Sequence, residues 1–253
     1  MQMGVIAAIE DRQVAVAAGN TPQVAPDPLP LKILRIGLFQ RLDLCCPVLG
    51  HVGGQQDGHL YLIQRIHGSF ARCLSVAGMP QSGVQERGVL IDLLRAFGPE
   101  RRIVGLADLQ SVIAAQQVEV RQGDIVILRT GYAEALLNMQ SAPDPAALDW
   151  FGAVLDGTDD ALKRWISDSR IAAIAADIYA VENPHLTPDE CCFKLPLHHY
   201  CLFKLGMPKA ELWYLRDLAS ALAQRGRTAV FLTAPPLRLP GAVGSPVTPV
   251  ATI

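Results

Sequence analysis

An α/β fold is predicted by three features of the chain. Apolar runs of strand length alternate with segments of helical period, glycine and proline punctuate the joins, and half of the residues are apolar. From Arg87 onward the alternation is regular. Gly88-Val89-Leu90-Ile91-Asp92-Leu93 reads as a buried strand. Apolar residues at 106, 109, 112 and 113 repeat with helical spacing and predict a helix over 106–117. Gly123-Asp124 then turns into Ile125-Val126-Ile127-Leu128-Arg129, a second buried strand ended by Gly131. Residues 160–166 read as helix and 171–176 as a third strand. Pro208 stands where a helix would begin, and residues 209–224 continue that helix to a stop at Gly226. Residues 228–233 form a fourth predicted strand, followed by a Pro/Gly-rich tail that excludes regular helix.

Residues 1–83 have a different texture. Four prolines within residues 20–30 mark an extended loop, and the apolar stretch 31–44 fits strand or helix. Residues 50–58 are rich in Gly and Gln, polar enough for a loop or a site, and 78–83 form another turn cluster. The expected organisation is a single domain in two parts, a divergent 1–83 and a regular core over 84–253. With 253 residues the chain is long enough to bury a proper core.

Composition excludes several functional classes. Mean hydropathy is +0.24, yet no apolar run reaches the roughly 18–20 residues of a membrane helix. Residues 1–10 lack a basic start followed by an apolar run, so a soluble, cytoplasmic protein is expected. Net charge is −2, with acidic and basic residues spread along the chain, which is not the footprint of a nucleic-acid binder. A small, neutral or weakly charged ligand fits better. Cys45, Cys46, Cys73, Cys191, Cys192 and Cys201 contain no Cys-x-x-Cys, and they read as buried, reduced thiols.

Several segments carry a more specific signal. They are Arg87-Gly88-Val89-Leu90-Ile91-Asp92, Gly123-Asp124-Ile125-Val126-Ile127-Leu128-Arg129-Thr130-Gly131 and Ala176-Asp177-Ile178-Tyr179-Ala180-Val181-Glu182. Pro196-Leu197-His198-His199, Glu211-Leu212-Trp213-Tyr214-Leu215 and the tail from Pro235 complete the set. Together they resemble the cyclase family of metal-dependent hydrolases, which includes bacterial kynurenine formamidase and isatin hydrolase. The resemblance implies a swivelling β/β/α fold around a mixed sheet, a Zn or Mn cofactor, and a homodimer or homotetramer.

It also implies site residues. In the family a Pro-x-His segment is followed 13 residues later by a glutamate that opens a helix, and Pro196-Leu197-His198 with Glu211 repeats that spacing. His199 stays open as the alternative ligand to His198. Upstream, a His-x-Gly-Thr-His-x-Asp motif with a further His has its counterpart in His51-Val52-Gly53-Gly54-Gln55-Gln56-Asp57 and Tyr61. Here Gly54 replaces Thr, Gln55 replaces the second ligating His, and Tyr61 replaces the acid/base. His59 is the nearest substitute base. The implied metal set is therefore His51, Gln55, Asp57, Glu211 and one of His198 and His199, with His59 and Tyr61 catalytic. Asp177 and Glu182 follow a predicted strand, where α/β proteins place active-site loops, and are expected to bind substrate. Each has a plainer reading: a dipole-favoured carboxylate in a first helical turn for Glu211, a helix cap for Asp177, a surface charge for Glu182.

The implied reaction is hydrolysis of an aryl formamide or amide, with N-formyl-L-kynurenine first and an isatin-type lactam close behind. A relative that has lost turnover is the competing expectation, carried by Gln55 and Tyr61. A serine hydrolase is set aside because no Gly-x-Ser-x-Gly elbow occurs.

Overall fold

The computed structural model describes residues 33–35, 79, 83–186, 194–239, 242 and 244–253. The chain divides into the units Met1–Pro30 and Leu31–Ile253, and all described residues lie in the second. In order they form β1 (Ile33–Arg35), β2 (Gln85–Asp92), α1 (Leu93–Phe97), β3 (Arg102–Val104) and α2 (Leu106–Ala115). Next come β4 (Ile125–Arg129), α3 (Tyr132–Asn138), α4 (Pro145–Asp149), β5 (Ala153–Leu155), α5 (Asp160–Ser169) and β6 (Ala173–Ala176). A single turn, α6 (Pro196–His198), runs into a π-helical segment, His199–Leu205. Then follow β7 (Lys209–Ala210), α7 (Arg216–Gln224), β8 (Ala229–Thr233) and β9 (Val250–Thr252).

Seven strands make one mixed sheet in the order β1-β9-β8-β2-β4-β6-β7. β2, β4, β6 and β7 run parallel, and β8, β9 and β1 add antiparallel pairs on the other side of β2. β3 and β5 form a separate parallel pair. The central strands are continuous apolar runs because both faces are covered. Val89, Ile91, Val126, Leu128, Ile174 and Ala176 point to one core with α2 and α5, while Leu90, Ile125, Ile127 and Ala175 point to a second core under α7. Fully burying each Ile or Leu contributes about 1.5–3 kcal/mol, so these strands are fixed from both sides.

The predicted strand over 125–129 coincides with β4, and those at 88–93, 171–176 and 228–233 overlap β2, β6 and β8. The helix over 106–117 is α2, and 160–166 extends to Ser169 as α5, capped by Asp159 accepting from the N–H groups of Ala161 and Leu162. β1 places part of the 1–83 stretch at the edge of the same sheet as the core.

The helix expected over 208–224 is corrected. Lys209–Ala210 is a strand instead, pairing in parallel with Ile174–Ala175, and the helix begins only at Arg216. Leu212, at φ 57°, turns the chain between them, so helical propensity yields to sheet pairing. Cys201 is a free, buried thiol whose pKa burial pushes up to about 11, as expected of an inert cysteine. The other five cysteines lie outside the described residues. Among the described residues no helix is long and apolar enough to cross a membrane.

Candidate active site

The parallel strands β2, β4, β6 and β7 end on one side of the sheet, and the candidate residues follow these ends. Asp177 comes directly after β6 and is fully buried. Its Oδ1 accepts from Thr130 N and Oγ1, both at 2.7 Å, and its Oδ2 accepts from Gly131 N at 2.8 Å. Gly131, at φ 84°, is the residue from which α3 starts, so Asp177 fixes the turn ahead of α3, while Thr130 Oγ1 accepts the first helical N–H, that of Tyr132, at 3.3 Å. Burial pushes the Asp177 carboxyl up to about 6 against the pull of these donors. Its contacts are with the Thr130–Gly131 turn and not with the N–H groups of α3 itself.

Glu182 lies on the loop that follows, bridged to Leu155 of β5, and its side chain is fully buried. That ends the surface-charge reading. Oε2 accepts from Leu197 N at 2.6 Å and Oε1 from His198 N at 2.8 Å, satisfying the first free N–H groups of α6. The same Oε1 stands 2.7 Å from His198 Nδ1. Gly157 makes the packing possible, because a Cβ there would clash with Glu182 Oε2 and stand 2.8 Å from Pro196 Cγ.

The far side of the His198 ring meets Glu211, with Nε2 and Oε1 2.9 Å apart. Glu211 follows β7 on a turn, not in the first turn of a helix, so the dipole explanation for it no longer applies. Burial opposes its charged form, but the hydrogen bond and charge of His198, the charge of Lys209 and the N–H of Ala180 outweigh it and hold its carboxyl below the usual range. It is His198, not the adjacent His199, whose Nε2 reaches this carboxylate; His199 packs its ring 5.9 Å from that of Phe203.

The structure thus brings together Glu182, His198 and Glu211, with Asp177 apart on the Thr130 turn. His51, Gln55, Asp57, His59 and Tyr61 lie outside the described residues. Among the described residues no three His, Cys, Asp or Glu side chains converge as a metal cage. His198 Nε2 and Glu211 are nonetheless donors of the kind Zn and Mn take, and a carboxylate on Nδ1 is the usual partner of a ligating imidazole. They fit as part of a site.

Lys209, which no motif singled out, belongs to the same cluster. Its side chain is 2% exposed, and its Nζ lies 3.1 Å from Ala180 O, 2.9 Å from His198 Nδ1 and 3.6 Å from Glu182 Oε1. No signal in the sequence marked it, because residues 209–224 read as helix and only an extended backbone puts Lys209 and Glu211 on one face.

A family model described as "Putative cyclase" (Cyclase) matches residues 20–183. The matched span includes the 51–61 segment and stops short of His198 and Glu211. A solved structure described as a novel cyclase aligns at 34% identity, covering 70% of this chain and 56% of its own, with a TM-score of 0.60. The chain therefore spans little more than half the length of that relative. Isatin hydrolase A from Ralstonia solanacearum aligns at 17% identity over 71% of this chain and 64% of its own, TM-score 0.52. The Labrenzia aggregata isatin hydrolase A aligns at 18% over 71% and 65%, TM-score 0.50. At such identities the likeness concerns the fold. No curated protein matches the chain.

Proposed function

The chain belongs to the Cyclase family, and on that premise we propose that it is a metal-dependent hydrolase of an aryl formamide or amide, with N-formyl-L-kynurenine as its substrate. The 2.9 Å meeting of His198 Nε2 with Glu211 Oε1 supports this most directly, because it presents a nitrogen and a carboxylate oxygen at one point. A divalent Zn or Mn ion, when bound, acidifies a water and polarises the scissile carbonyl. His198 and Glu211 are assigned as two of its ligands, with His51, Asp57 and the weaker Gln55 as the others. Glu182 occupies Nδ1 of His198, so that Nε2 is the nitrogen offered to the ion. His59 is assigned as the base that takes the proton released when water adds to the carbonyl carbon. It then returns that proton to the leaving aniline nitrogen. Isatin, whose ring amide presents the same aryl N–C(=O) bond, is the second substrate to assay.

Glu211→Ala tests the assignment. It is expected to lower Zn or Mn affinity by about 100-fold or more and to abolish formylkynurenine hydrolysis. If Glu211 serves only as a structural hydrogen-bond partner of His198, the substitution would lower stability and leave Zn and Mn affinity unchanged. A second reading rests on Gln55 and Tyr61, which stand where the family carries a ligating and a catalytic histidine. In that reading the folded protein turns over neither substrate with any metal.

A further inference from the structure

Nδ1 of His198 faces two groups that make opposite demands. Glu182 Oε1, at 2.7 Å, needs a nitrogen that carries hydrogen, whereas the Lys209 ammonium, at 2.9 Å, would need a bare one. Nδ1 has a single in-plane position and cannot serve both. Glu182 has the stronger claim: its Oε1 is the closer atom and also accepts the backbone N–H of His198 itself, so ring and backbone of one residue are held on one oxygen. Lys209 has other partners, the Ala180 carbonyl at 3.1 Å and Glu182 Oε1 at 3.6 Å.

The loop beneath is strained. Ala180 and Val181 both have φ 64°, a left-handed conformation that is unfavourable for non-glycine residues and rare for a β-branched side chain. This pair leads directly into Glu182, and the two side chains on one face of the β7 segment grip it. Lys209 donates to Ala180 O, and Glu211 accepts from Ala180 N. Glu182 is fully buried and Lys209 nearly so. A buried carboxylate keeps its place only if its charge is offset, and this ammonium offsets it.

We propose that Lys209 is a positioning residue: by clamping Ala180 and neutralising Glu182 it fixes the Glu182–His198 pair, so that Nε2 of His198 is aimed at Glu211. This deepens the metal-dependent reading and rests on it only for the ion. The first consequence is a His198 Nδ1–H sheltered from exchange in the metal-free protein. The second is a dependence of metal affinity on a residue that is not itself a ligand.

The test compares the full chain with Lys209→Met and with the double variant Glu182→Gln/Lys209→Met, in which no buried charge is left unpaired. Zinc affinity is measured by calorimetric titration, and the His198 ring signals by ¹⁵N NMR without metal. Lys209→Met is expected to weaken zinc binding about 10–100-fold and to lose the protected Nδ1–H. If Lys209→Met does not fold, the double variant is expected to fold and still bind zinc weakly. Zinc binding within twofold of the parent, with the protected proton retained, in either folded variant would overturn the proposal. Should the parent chain bind no zinc, the functional reading fails, while the Nδ1–H comparison still decides the role of Lys209.

Discussion

Asp177 spends both carboxylate oxygens on three donors of the Thr130–Gly131 turn. An amide there can accept on one side only and would turn an N–H toward the N–H of Gly131. Asp177→Asn should therefore cost about 2–4 kcal/mol at pH 7, read from urea denaturation. The pH dependence follows from its raised pKa. Relative to the ordinary 3.8, the folded state binds this proton more tightly up to about pH 6. The stability it contributes is full below pH 3.8 and is lost as pH rises through about 6, and the Asn variant should lack that slope. At this scale the sequence was partly legible. The Pro196-Leu197-His198 and Glu211 spacing pointed to a pair that does meet, but the choice between His198 and His199 depends on ring direction, which adjacent positions cannot reveal. Lys209 was invisible for a related reason: its partners lie 27 and 29 residues away, brought close only by the loop after β6.

Among the elements, the glycine before α5 carries the sharpest consequence. Gly157→Ala places a methyl against Glu182 Oε2 and Pro196 Cγ, both held by surrounding structure, and should destabilise the fold by about 1–3 kcal/mol. Because Glu182 must move, zinc affinity should fall together with stability; unchanged denaturation and binding curves would show that the loop has slack. The buried strands were readable because their apolar runs are local. The helix expected through Glu211 was not, since what decides residues 209–210 is a partner strand 35 residues upstream. The short pair β3 and β5 escaped notice for want of length, each having three residues.

For the whole molecule, the mixed sheet gives the family fold, and the parallel strand ends gather Asp177, Glu182 and Glu211 on one side. The outer surface carries Trp150, Phe203 and Leu237, each more than half exposed. Exposed apolar side chains are ordinary on a surface, so the expected homodimer or homotetramer rests on the family resemblance. Light scattering behind a sizing column should return a mass of two or four chains, and a clean monomer would contradict it. The most direct test of the central claim is elemental mass spectrometry of the purified chain after mild dialysis. Close to one Zn or Mn per chain is expected, lost in Glu211→Ala. A folded protein that is empty and will not reload would contradict it.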